Sequence, residues 1–476
     1  MGGLMLLQPS IESHRACLSF RTASTIAGQI RRIARWPSRL KGFRRPDSVC
    51  RDKDNPSMDG DSADKPAALQ PAQARRLGKP ELIAMVAGLM ALNAIAIDIM
   101  LPALGEISRA TGLVADGAPR DNRQQLIIFA YVLGFGAPQL AWGPITDRFG
   151  RRAPLFIGLI GYVATAFLCV ILKDFWALLA ARFLQGVFAS GARIVAAAVV
   201  RDLFAGRSMA SFMSLVMTIF MIVPIIAPGA GQLILLFAPW EGIFVVLAGW
   251  GLMMLIWTWA RLPETLPPEA RRPLNLRSAG SAYLEVVRSP VSFGYMMASG
   301  IIFGALFAFI ASSEQVFREV FRMENTFALW FAGVAAALAV ANFTNSRLVE
   351  RLGMRRISHA ALIMFILTSL VLTLTTLAFG ENFAVFFPIF ALSFACFGMM
   401  GSNFSALAME PLGKIAGTAS AAYGFATTLI SSLIGMLIGA QYNGTTIPLT
   451  AGFVGLGVVS LGIVLVTEKG RLFSNR

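Results

Sequence analysis

The sequence predicts an all-α integral membrane protein: twelve transmembrane helices in two six-helix bundles with pseudo-two-fold symmetry. Three observations carry that prediction. Of the 476 residues, 56% are hydrophobic and only 14% charged, where a soluble domain carries roughly 25% charged residues. The apolar residues come in long runs, of the length that crosses a bilayer rather than fills a core. Finally, a charged loop motif in the first half of the chain returns in the equivalent loop of the second.

The net charge of +15 invites a nucleic-acid partner. Its distribution argues otherwise. Residues 1–80 carry 15 Lys/Arg against 7 Asp/Glu, and residues 81–476 carry 26 against 19. The second excess lies in alternate loops, the pattern of the positive-inside bias, so no nucleic acid is expected. Cys17, Cys50, Cys169 and Cys396 have no paired or metal-ligand spacing. With His14 and His359 the only histidines, a His/Cys metal site is not expected.

Residues 1–80 read as a disordered basic cytoplasmic tail. Nine basic residues and no acid lie between Arg15 and Arg45. Three readings stay open: an organellar transit peptide, a basic arm on anionic lipid, or translation from Met58 with an over-extended reading frame upstream.

The twelve spans are predicted near 82–104, 125–145, 153–172, 175–200, 209–237, 242–261, 291–312, 327–346, 357–378, 383–405, 415–440 and 449–467. With both termini cytoplasmic, the inside loops after the tail hold 18 basic residues and the outside loops 6, leaving Arg182 and Arg193 in the membrane. That bias orients a multi-pass protein of the cell inner (plasma) membrane. A Pro- and Arg-rich cytoplasmic linker, 263–290, divides an N-terminal bundle, 81–262, from a C-terminal bundle, 291–467. A short cytoplasmic tail, 468–476, follows.

Spans 2 and 3 meet in Gly143-Pro-Ile-Thr-Asp147-Arg148-Phe-Gly150-Arg151-Arg152, too short for anything but a tight hinge. Gly143 and Gly150 are expected to permit tight packing, and Asp147 to cap a helix N-terminus or bind a cationic side chain. Asp147-Arg-Phe-Gly-Arg-Arg152 returns 203 residues later as Glu350-Arg351-Leu-Gly353-Met-Arg355, between spans 8 and 9. Parallel six-helix repeats of this kind are a transporter architecture, and the echo predicts a second gating loop.

Asp98 lies inside span 1, where an ionisable group is costly and faces a cavity or a partner. Its proton affinity responds to hydration and to a nearby cation, which makes it the candidate proton carrier; a satisfied or wetted structural carboxylate is the alternative. Arg182 and Arg193 lie 11 residues apart in span 4, nearly on one face. Pairing of Arg182 with Asp98 is geometrically possible, and Arg193 could instead snorkel toward the cytoplasmic end. Gly186 and Ser190 permit close helix approach. Pro224, Pro228 and Gly231 are expected to bend span 5. Met297, Phe303 and Phe307 of span 7, with Glu314 near its outer end, are read as packing or lipid-facing. No GxSxG, P-loop or HExxH pattern occurs, so no enzyme activity is expected.

The loop from Gly143 to Arg152 resembles the loop 2–3 signature of the major facilitator superfamily. Arg182-Phe-Leu-Gln185-Gly186 resembles the fourth-helix Arg-x-x-Gln-Gly motif of its proton-coupled members. Ala227-Pro228-Gly-Ala-Gly231 is similar to the fifth-helix antiporter motif, with Ala227 where glycine is usual. Asp98-Ile-Met-Leu-Pro102 and Val200-Arg-Asp-Leu-Phe204 resemble the Bcr/CflA branch of twelve-helix drug:proton antiporters. The resemblance covers residues 82–467. It implies alternating access driven by a proton gradient, with no cofactor, a monomer in the lipid bilayer, and a small amphipathic drug-like substrate exchanged for protons. It further implies that Asp98, Arg182, Gln185 and Arg193 serve proton coupling and substrate.

Two other classes remain at this stage. A proton-linked uptake symporter for a small metabolite would not raise drug tolerance in a sensitive host, whereas an exporter would. A non-transporting receptor or scaffold would give no flux in proteoliposomes, and the short cytoplasmic loops argue against it.

Overall fold

A computed structural model of the protein describes residues 78–113, 122–204, 206–271 and 276–473. The expectations for residues 1–77 lie outside that set. The described residues belong to one compact unit, residues 69–476, and no strand occurs among them.

The first span is α1, Lys79–Asp98, whose α-helical bonding breaks at Ile99 into a tighter 3-10 turn, Leu101–Ala103, before it continues as the short α2, Leu104–Ala110. Span 2 is a pair, α3 Leu126–Gly136 and α4 Gln139–Phe149, bent by 42°. Pro138 lies in the bend; without an amide N–H it cannot continue the helical hydrogen bonding, and such a bend is its usual result. Spans 3 to 6 are α5 Arg152–Ile171, α6 Phe175–Leu203, α7 Gly206–Phe237 and α8 Glu241–Arg261. The linker, expected as an irregular Pro- and Arg-rich segment, contains an amphipathic helix, α9 Leu276–Arg288. Spans 7 to 12 are α10 Pro290–Gln315, α11 Phe327–Leu352, α12 Met354–Phe379, α13 Phe383–Met409, α14 Ala416–Gly439 and α15 Ile447–Thr467. Among the described residues eleven stretches are long and apolar enough to cross a membrane singly, and the bent pair, taken as one span, makes a twelfth.

Side-chain caps start several spans. Asp174 accepts from the Ala177 N–H at 2.8 Å, and Asn382 from the Ala384 N–H at 3.0 Å, each satisfying a donor the first helical turn would leave bare. Large apolar side chains such as Ile171 (70% exposed), Trp176 (62%) and Leu437 (62%) point outward. That exposure suits hydrocarbon, where the helix satisfies its own backbone polar groups.

The helices pack as two similar groups. In the first, α6 lies against α3, α5 and α1, and α1 against α7 and α8; in the second, α10 lies against α14, α15 and α13, and α12 against α13 and α15. Two larger pairings join the groups, α3 and α4 with α14 (span 2 with span 11) and α7 with α11 (span 5 with span 8), together with a smaller contact of Leu101–Ala103 in span 1 with α10. Exchanging the halves turns one of the larger pairings into the other, as pseudo-two-fold symmetry requires. At the same time α7 runs unbroken through Pro224 and Pro228, so the prolines do not divide span 5.

The side-chain hydrogen bonds between the two groups gather at one end. There Gln125 donates to Gln315 Oε1 at 2.7 Å, Gln315 to Asn122 Oδ1 at 2.9 Å, and Asn122 to the Tyr442 carbonyl at 2.8 Å. Nearby, Arg318 donates to the Pro102 carbonyl at 3.2 Å and to Glu314 at 3.1 Å. Gln125, Gln315 and Glu314 are 2%, 1% and 6% exposed. This end is sealed. At the opposite end, marked by Arg151, α9 lies on α14, with Val286 buried against Met296, Leu412 and Ala419. The Tyr283 hydroxyl of α9 donates to the Leu140 carbonyl at 3.2 Å, bridging the linker to span 2.

Candidate functional site

Asp98 is the last residue of α1, at the break in the first span, and 4% exposed. The break is held from two sides. From span 5, Gly231 comes so close that a Cβ there would lie 2.0 Å from the Ile99 carbonyl oxygen and 3.0 Å from Pro102. Only glycine permits that approach, and this is what the fifth-span motif does in the fold. From span 4, Arg182 donates to the Ala96 carbonyl at 2.9 Å.

Arg182 is fully buried. Its remaining donors go to Gln185 Oε1 at 2.6 Å and to the Ile127 carbonyl at 3.4 Å, and its guanidinium lies 4.4 Å from the centroid of the Tyr131 ring. The anticipated Arg182–Asp98 ion pair is not among the described contacts. The guanidinium reaches the backbone two residues earlier and spends its fork on carbonyls, an amide and an aromatic face. Asp98 makes no ion pair among the described residues. The Gln185 amide nitrogen, fully buried, has no hydrogen-bond partner among them either. Gly186, next in the motif, brings span 4 onto span 2: its Cβ would lie 2.1 Å from the Tyr131 carbonyl.

Arg193 differs from both. It is exposed, and its guanidinium lies over the Phe135 ring at 5.6 Å. It therefore turns to span 2 rather than snorkelling along the lipid face.

At the Arg151 end a charged network replaces the simple hinge. Arg151 donates through Nε to Asp202 Oδ2 at 2.8 Å and through Nη1 to Asp147 Oδ1 at 2.7 Å. Burial opposes the Arg151 charge, but hydrogen bonds to Asp202 and Asp147 outweigh it and hold its proton more firmly than usual. The acid that caps span 3 is Glu264, not Asp147: it accepts from the Arg151 N–H at 2.8 Å and the Arg152 N–H at 3.2 Å. Gly150 passes between with φ +86°, and a Cβ there would lie 2.5 Å from Glu264 Oε2. Gly143 does not support the tight packing anticipated for it; a Cβ would meet nothing within 4 Å. Arg152 bonds the Trp259 carbonyl at 3.1 Å and lies over Phe156, while Arg148 is exposed against Phe149.

The echo in the second half builds a matching network, though not with every expected residue. Glu350 and Arg351 are exposed. Arg355 carries the contacts, to Glu468 at 2.8 Å and Glu410 at 3.3 Å, and Gly353 turns the chain with φ +82°. Tyr295 donates to Glu468 at 2.8 Å and lies 3.0 Å from His359 Nε2, while the Phe473 N–H donates to His359 Nδ1 at 3.2 Å. Burial pushes the Glu468 carboxyl up, but hydrogen bonds from Arg355 and Tyr295 outweigh it and hold it below the ordinary carboxylate range.

Glu264, Glu410, Glu468, Gln125 and Gln315 escaped the sequence reading, and Asp202 entered it only inside the Val200–Phe204 resemblance, with no role. One signal was available for two of them: Glu264 and Glu468 are each the first acid after the last span of their half. Met297, Phe303 and Phe307 pack inward rather than onto lipid, Phe303 against Phe397 with ring centroids 5.1 Å apart. Among the described residues no three His, Cys, Asp or Glu side chains converge as a metal site would need.

The family described as Major Facilitator Superfamily matches residues 84–436. An uncharacterized MFS-type transporter of Bacillus subtilis (strain 168), YdgK, is 31% identical over 384 residues, covering 80% of this chain and 93% of its own. The bicyclomycin resistance protein homolog of Haemophilus influenzae is 30% identical over 359 residues, 74% of this chain and 87% of its own. The multidrug resistance protein MdtL of Escherichia coli O17:K52:H18 is 25% identical over 362 residues, 75% and 90% of the two chains. Among solved structures, a bacterial homolog to the human lysosomal transporter Spinster, inward-facing and occupied, superposes with a TM-score of 0.61 at 14% identity, covering 84% of this chain and 99% of that one. The last likeness concerns the fold alone.

Proposed function

The chain belongs to the Major Facilitator Superfamily, and from that membership we propose that it exports small amphipathic drug-like molecules in exchange for protons. It is a carrier and catalyses no covalent chemistry. The reading places the Arg151 end and both termini in the cytoplasm of a cell inner membrane, by the positive-inside bias. The sealed Gln125 end then faces outward, and the conformation is the one closed to the outside. Residues 81–262 and 291–467 would rock about the span 2–11 and span 5–8 contacts, with 263–290 as the linker, in a monomer.

The observation that carries the proposal is Asp98: a buried carboxylate at a helix break, free of an ion pair among the described residues, gripped by the two spans that bear the transport-like motifs. Asp98 takes a proton through its carboxylate oxygen when the outer end opens and releases it when the inner end opens. Arg182, anchored two residues away on the Ala96 carbonyl, tunes that proton affinity. Relatives named for bicyclomycin and multidrug resistance support the direction of export and the class of cargo.

The test is uptake of a drug panel into inside-out vesicles under an imposed pH gradient, with and without a protonophore. Wild type is expected to accumulate drug only with the gradient, and Asp98→Asn to lose that accumulation while expressing normally. Gradient-driven accumulation by the Asn variant would remove Asp98 from the mechanism.

A further inference from the structure

Asp98, Arg182 and Arg193 are the charges the sequence places in the body of the membrane. Asp98 and Arg182 are 4% and 0% exposed, whereas Arg193 is exposed. That exposure is not to lipid. At roughly 100° per residue, Arg193 lies about 20° round α6 from Arg182, and Arg182 faces α1 and α3. The outward stripe of the same helix is Ala180, Phe183 and Leu184, roughly 100–200° away by the same geometry. An exposed side chain on the inward face opens on a space within the protein, and the Gln125 end is sealed. The space is therefore reached from the Arg151 end.

The surroundings of Arg193 suit recognition rather than structure. Its guanidinium lies over the buried Phe135 ring, and two residues before it Gly191 rests on the Trp142 ring, where a Cβ would lie 3.0 Å from ring carbon. The Trp142 N–H is already committed to the Val187 carbonyl at 3.2 Å. Arg193 itself makes no ion pair and no hydrogen bond among the described residues. A guanidinium shielded on one face by an aromatic ring keeps its in-plane N–H fork free, the geometry that takes a planar carboxylate or similar anion in two parallel hydrogen bonds. The carboxylate that could draw in cations, Asp98, is buried at the span 1 break, 4% exposed against the exposed Arg193.

We infer that Arg193 is the specificity-determining residue of the translocation space and selects aromatic or apolar acids, bound as anions, over cations of similar size. This rests on the proposed transport function and names its substrate class. The acid's charged group sits on the Arg193 fork and its apolar body lies along the Phe135–Trp142 side of span 2. Cations are repelled by the same fixed charge.

The test is equilibrium binding to the purified full chain with three matched probes: 2-naphthoate, 2-naphthamide and naphthylmethyl-trimethylammonium. Wild type is expected to bind the naphthoate at least tenfold more tightly than the cation. Arg193→Gln should weaken naphthoate binding roughly tenfold, as for loss of a charge-assisted bidentate contact, and leave the amide within about twofold. Arg193→Lys, which keeps the charge without the fork, should fall between and serves if the Gln variant does not fold. Equal or tighter binding of the cation by wild type, no naphthoate binding at millimolar concentration, or unchanged naphthoate binding in Arg193→Gln would each overturn the inference. Export of cationic drugs by a protein that fails this test would leave the transport reading standing. Arg193-dependent naphthoate binding without any vesicle transport would overturn the transport reading alone.

Discussion

Arg355 binds Glu468 at 2.8 Å, tying the start of the ninth span to the first residue after the twelfth. Arg151 ties the second-to-third loop to Asp202 with the same 2.8 Å contact in the other half. Both guanidiniums are more than four-fifths buried, at 5% and 14% exposure. Two networks of one design thus brace the Arg151 end of each bundle.

The second network should be sensitive to acid. Glu468 is held below the ordinary carboxylate range. A carboxyl whose folded value is depressed contributes its stability in full above its unfolded value and loses it as pH falls through the folded value. Glu468→Gln should lower stability near neutrality by about 1–3 kcal/mol, the worth of hydrogen bonds to a charged group. The difference between wild type and variant should then shrink below about pH 4.5. Thermal unfolding of both proteins from pH 7 to pH 3.5 checks it; a difference that widens on acidification contradicts the assignment.

Glu264 should behave as a helix cap. Replacing it by Ala leaves the Arg151 and Arg152 N–H groups without their acceptor, costing about 1–2 kcal/mol as for other N-terminal caps. Glu264→Gln keeps one acceptor oxygen and should recover roughly half. Unfolding in denaturant would measure both. A wild-type midpoint in Glu264→Ala would mean that the cap contributes nothing.

Two glycines in recognised motifs should respond in opposite ways. Gly231→Ala drives a methyl to 2.0 Å from the Ile99 carbonyl, so span 5 must retreat from the break at Asp98. Overpacking against backbone costs about 1–3 kcal/mol, and drug export should fall at least tenfold. Gly143→Ala meets open space within a helix and should gain slightly, by about 0.5–1 kcal/mol in helix propensity. Comparable damage from both would show that motif membership, not contact distance, predicts the outcome.

How far the sequence could be read depends on the kind of signal. Span number follows from apolar run length, which the bilayer enforces on every helix, and the Glu350–Arg355 echo sits where a second loop network forms. The residues that close those networks were not legible, because Asp202 and Glu410 look like ordinary charges at helix ends until the fold brings Arg151 and Arg355 to them. Arg182 was recognisable as buried, but its partners were not: a fork that bonds the Ala96 and Ile127 carbonyls leaves no trace in side-chain pattern. The seal at Gln125 and Gln315 was least visible. Uncharged amides barely perturb hydropathy, and their pairing depends on spans far apart in the chain.

That seal yields the last prediction. Gln125 donates to Gln315, Gln315 to Asn122, and Asn122 to the Tyr442 carbonyl, so removing the Gln125 amide leaves Gln315 Oε1 without that donor. Each such bond contributes about 0.5–1.5 kcal/mol, and an unsatisfied buried partner adds to the loss. A change of about 1.4 kcal/mol shifts a two-state balance tenfold. Gln125→Ala should therefore favour the conformation open at this end. Gly439→Ala should act in the same direction by an independent route, since its Cβ would lie 2.0 Å from Gln125 Oε1. Ser108→Cys, at a position 1% exposed near the end of the first span, supplies the reporter. Its labelling by a membrane-impermeant maleimide should quicken about tenfold in either background. With Cys17 and Cys50 replaced by Ser, the remaining native Cys169 and Cys396 are buried and set a low baseline. Unchanged labelling in both variants would mean that these hydrogen bonds do not hold the outer end closed.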